Sequence, residues 1–366
     1  MAIPCTHPPL SDILPTIVLG GAGFSFQTHP DPDSLPVRDI IKIAFDNGLR
    51  AIDTSPFYEP SEQLLGRALA EPEISSQYSR SDYILMTKVG RIGPDQYDYS
   101  PSWVRQSVTR SLERLQTSYI DVVFCHDIEA VTDDDVLAAV GELLEFVRQG
   151  KVKYIGLSSY RIDLLARRAS LSRELYGRPV DVVQSWGQLT LQNSRLEIEG
   201  LEAFKNAGVT CICSSSPLAI GLLRQGGVPQ GKLGDFHPAP EGLRRAVQEV
   251  ADYTDSQGQS LAPLALRYAL WRAYEASQRS VRVSTLIGVS TLPELIQNVT
   301  TARDLLQGDL AYPSLNKRQL KIDEPLVKMA RNILGDWVNW SFTIPAKGWS
   351  PELKRMIQDK EVGQDG

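Results

Sequence analysis

Four side chains of complementary chemistry close three short apolar runs: Asp53 and Tyr58 in "LRAIDTSPFY", Lys88 in "YILMTKVG" and His126 in "IDVVFCHD". An unperturbed phenol titrates near pKa ~10, and an ammonium beside it favours the phenolate, which makes the phenol a better proton donor. Lys88 is expected to tune Tyr58 in this way, with Asp53 holding Lys88 as its ion-pair partner. His126 completes the set by hydrogen bonding to the oxygen that gains or loses the proton. Each residue alone has a plainer reading. An Asp after a strand usually serves a turn, a lone Lys is usually solvated, and one His among His7, His29, His126 and His237 is usually structural. Complementary groups on three consecutive strand ends favour the joint reading.

The elements that must position these groups are legible as recurring apolar runs rich in Val, Ile and Thr. They are "TIVLGGAGF" from Thr16, "LRAIDTS" from Leu49, "YILMTKVG" from Tyr83, "IDVVFCH" from Ile120, "VKYIGLSS" from Val152, "VDVVQSW" from Val180, "VTCICSSS" from Val209 and "VSTLIGV" from Val283. Segments of helical period separate them. Ser100 and Pro101 suit the start of a helix carrying Val104, Val108, Leu112 and Leu115. Thr132 can cap another carrying Val136, Leu137, Val140, Leu143, Leu144 and Val147. Repeated strand–helix alternation predicts an α/β fold of the (β/α)8 TIM-barrel type. A doubly wound open sheet shares the alternation, but "LGGAGFSF" holds Phe26 where the dinucleotide fingerprint, starting from Gly21 and Gly23, needs its third glycine.

Reactive groups in such a barrel gather at the C-terminal ends of the strands. Those ends read Asp53, Lys88, His126, Ser158, Ser159, Gln184 and Ser214 to Ser216, polar almost throughout. The chain is expected to form a single barrel domain over residues 1–366, with a core of about 16–306 and a C-terminal tail of 307–366. The tail from "AYPSLNKRQL" through "DWVNWSFTIPAKGW" holds Trp337, Trp340 and Trp349 and shows little regular pattern. It reads as a substrate-side loop in preference to a strap on the outside of the barrel.

Composition narrows the function classes. The chain has 366 residues, 42% of them hydrophobic, and a formal net charge of -6. With no basic run, it offers no footprint for nucleic acid or an anionic membrane. No stretch reaches membrane-spanning length, and the start lacks a signal-peptide pattern. Cys5, Cys125, Cys211 and Cys213 are too few for a disulfide scaffold, so reduced thiols in a cytoplasmic protein are expected. Cys211 and Cys213 share one side of a strand, but without third and fourth ligands they predict barrel packing and no metal.

The set Asp53, Tyr58, Lys88 and His126, within "IDTSPFY", "LMTKVG" and "VVFCHD", resembles the aldo-keto reductase family, barrel enzymes that move a hydride between NAD(P) and a carbonyl or alcohol. The resemblance runs from about Leu19 to Val299. Within the family, "SEQLLGRAL", "TKVGRIG" and "CHDIE" look most like the fungal NAD-dependent D-arabinose 1-dehydrogenases and the plant L-galactose dehydrogenases. The resemblance makes Tyr58 the proton donor or acceptor, Asp53 and Lys88 its tuning pair, and His126 the group that orients the substrate oxygen. It implies that Ser158, Ser159 and Gln184 hold the nicotinamide amide and that Ser216, Pro217 and Leu218 line the pyrophosphate. The adenosine end then falls to Glu294, Gln297 and Asn298.

Three positions depart from the family pattern. Ser159 stands where many relatives have asparagine. Ser215 replaces the tyrosine that many stack under the nicotinamide, leaving Trp186 as a ring that could stack there. Glu294 stands where NADP-using relatives place an arginine. A carboxylate repels a 2'-phosphate and can accept a hydrogen bond from a ribose 2'-hydroxyl, which predicts NAD over NADP.

The implied activity is NAD-dependent oxidation of an aldose of the D-arabinose, L-galactose or L-fucose type at C1, giving the aldonolactone. Arg91, Asp127, Glu129 and the tail tryptophans are candidates for sugar contacts. Two other readings stay open: an NADP-dependent aldehyde or pyridoxal reductase, and a non-catalytic cofactor-sensing subunit built on the same barrel.

Overall fold

Eight parallel strands close on one another in a computed structural model that describes residues 7–228, 237–279 and 281–342. They are β1 (Ile17–Gly20), β2 (Ala51–Asp53), β3 (Ile84–Val89), β4 (Ile120–Cys125), β5 (Val152–Ser159), β6 (Val182–Trp186), β7 (Cys211–Ser215) and β8 (Arg282–Gly288). Each pairs with the next, and β1 closes on β8 through Ile17–Thr285 and the three pairs that follow. Seven lie within the runs that the sequence singles out, and β8 starts one residue ahead of its run, at Arg282. They are near-continuously apolar because both faces are covered, by helices outside and by each other inside. Val18, Met86, Val122, Phe124, Tyr154, Cys211 and Cys213 fill the interior, and burial pushes the Cys211 thiol up to about 12. The expected barrel packing of the two cysteines is what the interior shows.

The principal helices are α1 (Val37–Asp46), α2 (Ser61–Ala70), α3 (Pro101–Arg114), α4 (Asp133–Arg148), α5 (Ile162–Tyr176), α6 (Leu201–Asn206), α7 (Glu241–Ser256), α8 (Leu261–Ser277), α9 (Leu292–Leu305) and α10 (Lys317–Leu334). Their starts follow local chemistry. Ser100 Oγ accepts from the Trp103 amide, and Thr132 and Asp135 cap one another reciprocally at α4. Such caps satisfy amides that have no partner inside the helix. One glycine shapes the barrel mouth directly: a Cβ at Gly23 would lie 2.1 Å from the Val289 carbonyl oxygen. The loops after β1 and β8 meet only because that side chain is missing. Among the described residues, no helix is long and apolar enough to cross a membrane.

The tail differs from its reading. Residues Lys317–Leu334 form the long helix α10, capped by Asn316, whose side chain accepts from the amides of Arg318 and Gln319. A buried ion pair fixes it to α8, with Arg267 donating to both Asp323 oxygens at 2.7 and 2.8 Å. Beyond α10 the chain packs on α7 and on the loop that follows β6. Trp337 fills the space beside Gly242, where a Cβ would meet its ring at 2.5 Å. Gln192 Nε2 donates to the carbonyls of Trp337 and Trp340 at 2.6 and 3.0 Å, and the Asn339 amide donates back to Gln192 O. Trp337 and Trp340 thus sit on the loop that follows β6, at the end of the barrel where the strand-end residues gather, and Trp349 lies outside the described residues.

Candidate active site

β2 ends on Asp53 and its neighbour β3 carries Lys88, so adjacent strand ends bring the two charges together. Lys88 Nζ donates to Asp53 Oδ2 at 2.6 Å and to Thr54 O at 2.8 Å, and both residues are buried. Burial raises the Asp53 carboxyl, against the pull of Lys88. Tyr58, on the loop after β2, has its ring centroid 4.9 Å from Lys88 Nζ. The His126 ring meets it edge-on at 5.7 Å and 85°. The structure thus gathers the four residues into one cluster.

The direction of the Tyr58 shift is the reverse of the sequence expectation. The phenol is held well above its ordinary value, first by burial and then by the carboxylates of Asp53 and Asp127. Lys88 spends its hydrogen bonds on Asp53 and Thr54 and faces the ring, so in this arrangement desolvation outweighs it. His126 is pushed well below the ordinary imidazole range by burial and then by Lys88 and Arg91, so it is neutral at physiological pH. Its Nδ1 lies 3.2 Å from Ser55 Oγ, and its backbone is fixed at both ends, the amide on Val89 O and the carbonyl by the Tyr99 hydroxyl.

Asp127 follows in the left-handed backbone region, φ 55°, with Oδ2 2.5 Å from Arg91 Nη1 and 3.7 Å from His126 Nε2. The Arg91 guanidinium stacks 3.9 Å above the Phe57 ring. Arg91, Asp127, Phe57, Tyr58 and His126 all line a cavity of about 520 Å³, a size suited to a small ligand. Of the expected sugar contacts, Glu129, Trp337 and Trp340 do not line it. Glu129 instead accepts from the Tyr160 amide at 3.0 Å.

The same cavity reaches the expected cofactor segments. Ser216, Pro217, Leu218, Glu294 and Asn298 line it, whereas Gln297 does not. After β7 the backbone turns through left-handed conformations at Ser216, Ala219, Ile220 and Gly221, the kind of path that forms anion-binding concavities. Arg224 lines the cavity just beyond. Glu294 Oε2 accepts from the Ser290 amide at 2.8 Å, so the carboxylate also serves the N-terminus of α9.

Ser158, Ser159 and Gln184 are fully buried behind the cavity lining. Trp186 Nε1 donates to Ser158 Oγ at 2.9 Å, and Ser158 donates to Gln184 Oε1 at 3.1 Å. Ser159 Oγ caps the Arg161 amide. The Gln184 side chain faces the Asp53 carboxylate and favours its charged form. With the turned backbone after β7 and the cavity's reach from Tyr58 to Asn298, the residues fit a nicotinamide dinucleotide.

Phe57, Tyr160, Arg224 and His237 also line the cavity and were not singled out by sequence. Phe57 could have been found from its place beside Tyr58, and Arg224 from its position soon after the "SSSPL" segment. His237 carries no such signal.

The family model described as Aldo/keto reductase family matches residues 16–309. The chain is 40% identical over 282 residues to a D-arabinose 1-dehydrogenase of Saccharomyces cerevisiae, covering 76% of this chain and 80% of the relative. It is 34% identical over 268 residues to an L-galactose dehydrogenase of Arabidopsis thaliana, covering 72% and 77%. An L-glyceraldehyde 3-phosphate reductase of Escherichia coli is 29% identical over 290 residues, covering 73% and 79%. Barrel, clustered site and family match agree that this chain belongs to the aldo/keto reductase family, as an oxidoreductase acting on CH-OH groups with a nicotinamide cofactor.

Proposed function

We propose that the protein oxidises an aldose of the D-arabinose, L-galactose or L-fucose type at C1 to the aldonolactone, with NAD preferred over NADP. The observation that carries this reading is the Arg91–Asp127 pair beside Tyr58 and His126 in one cavity. A carboxylate and a guanidinium next to the reacting centre suit a polyhydroxylated substrate, because they hydrogen bond to neighbouring hydroxyls that a simple aldehyde lacks. The similarity to two sugar dehydrogenases supports the same direction of reaction.

Bound NAD supplies the acceptor for the hydride that leaves C1. Tyr58 Oη takes the proton of the anomeric hydroxyl, Lys88 and Asp53 set the charge behind the ring, and neutral His126 holds the substrate oxygen. Ser158 and Gln184 would hold the nicotinamide amide once the Trp186 indole yields its bond to Ser158. Ser216, Pro217 and Leu218 would line the pyrophosphate, and Glu294, Asn298 and the neighbouring Gln297 the adenosine end. Unpaired, buried thiols at Cys125, Cys211 and Cys213 are compatible with a reducing cytoplasmic setting.

The test is nicotinamide absorbance on mixing the protein with D-arabinose, L-galactose and L-fucose, each with NAD and with NADP. Reduction of NAD by these sugars is the expected result. NADPH consumption with simple aldehydes and no sugar oxidation would replace this reading with the reductase one. The cofactor preference has its own variant. Glu294→Arg should shift the NAD/NADP ratio of kcat/KM toward NADP by about tenfold or more, the effect of removing a like charge and adding an opposite one. An unmoved ratio would remove Glu294 as the discriminator.

A further inference from the structure

We propose that Ser55 is a positioning residue that fixes His126 in the tautomer carrying its proton on Nε2, so that the imidazole presents a hydrogen-bond donor to the substrate oxygen. Ser55 is buried at the end of "IDTS", and its hydroxyl has two neighbours. The Phe57 amide lies 3.1 Å from Oγ and can only donate. Nδ1 of His126 lies 3.2 Å away and can do either. A hydroxyl has a single hydrogen. With Phe57 donating to the oxygen, that hydrogen has Nδ1 as its acceptor, which leaves Nδ1 bare and puts the ring proton on Nε2.

The opposite tautomer fails twice. With Nδ1–H donating to Ser55 Oγ, the oxygen would accept two hydrogen bonds while its own hydrogen stood buried without an acceptor, an arrangement proteins avoid. The bare Nε2 would then point its lone pair toward Asp127 Oδ2 at 3.7 Å, an oxygen already charged. Nε2–H reverses that contact into an attraction. The ring is packed edge-on against Phe57 at 6.1 Å and Tyr58 at 5.7 Å, which limits its freedom to escape the choice.

That the donor meets the substrate oxygen rests on the proposed function; the tautomer itself does not. The test uses the full chain labelled with 15N-histidine and long-range proton–nitrogen correlation of the ring resonances, with His126 assigned from its loss in His126→Gln. In the wild type Nε2 should be protonated and Nδ1 bare. Ser55→Ala should move His126 partly or wholly to the Nδ1–H form and lower kcat about tenfold or more, whereas Ser55→Thr, which keeps the hydroxyl, should resemble the wild type. If Ser55→Ala does not fold, Ser55→Gly, which also removes the hydroxyl, reads the same shift.

An Nδ1–H tautomer in the wild type overturns the proposal, as does an unchanged tautomer in folded Ser55→Ala or Ser55→Gly. Nε2–H that is lost on removing the hydroxyl, in a protein that oxidises no sugar, upholds the role of Ser55 and instead counts against the aldose reading.

Discussion

Replacing Tyr58 by Phe should lower kcat for aldose oxidation by about 10²–10⁴-fold, the range typical of removing a positioned acid/base, with KM for the sugar changed far less. The ring is retained, so its edge-on contact with His126 survives and the loss isolates the hydroxyl. Steady-state kinetics with NAD check the prediction. Negligible turnover in both wild type and variant would instead match a cofactor-sensing subunit.

The pH profile is a second readout of the same group. Oxidation needs the phenolate to accept a proton, and burial together with Asp53 and Asp127 holds the phenol well above its ordinary value. The phenolate fraction therefore grows as pH rises. The oxidation rate should climb from neutral into alkaline pH, while reduction of the lactone or an aldehyde, which needs the phenol, should decline. A profile flat from pH 6 to 10 would contradict the assigned role.

The largest expected effect on stability comes from Lys88→Met. Both partners of the Lys88–Asp53 pair are buried. Removing one member of a buried pair leaves the other as an uncompensated charge, at a cost of about 3–5 kcal/mol. Denaturant unfolding at neutral pH should show that loss. Its pH dependence has a definite sign. In the wild type burial already raises Asp53 while Lys88 pulls it back. Without Lys88, burial acts alone and the folded-state carboxyl rises further above its unfolded value. The folded variant then binds a proton more tightly than the unfolded chain does. Stability should be regained as pH falls through the raised folded value and lost as pH rises through it. Adding Asp53→Leu should restore much of the stability without restoring activity.

The barrel and the central cluster were legible in the sequence for a physical reason. Strands covered on both faces read as unbroken apolar runs, so a polar residue ending one, such as Asp53 or His126, stands out. What stayed hidden depends on contacts between distant segments. Arg91 and Asp127 each appear in the sequence as plausible mouth residues, but only the fold joins them across 36 positions. Helix α10 carries Pro325 in its interior, which reads as a break in a helical pattern even though Asn316 suits its start. The segment beyond it is held through backbone carbonyls by Gln192, and carbonyls leave no trace in residue type. The Tyr58 shift illustrates the same limit. Residue types announced an ammonium near a phenol, while the sign of the shift is decided by how deeply the phenol is buried.

The proposed oxidation takes hydride from the anomeric carbon of a sugar. Its most direct test is to incubate the protein with NAD and D-arabinose deuterated at C1, then weigh the products by mass spectrometry. The account predicts reduced nicotinamide carrying one deuterium and an arabinonolactone carrying none. Deuterium retained at C1 of the recovered sugar, with no label in the nicotinamide after prolonged incubation, would contradict it.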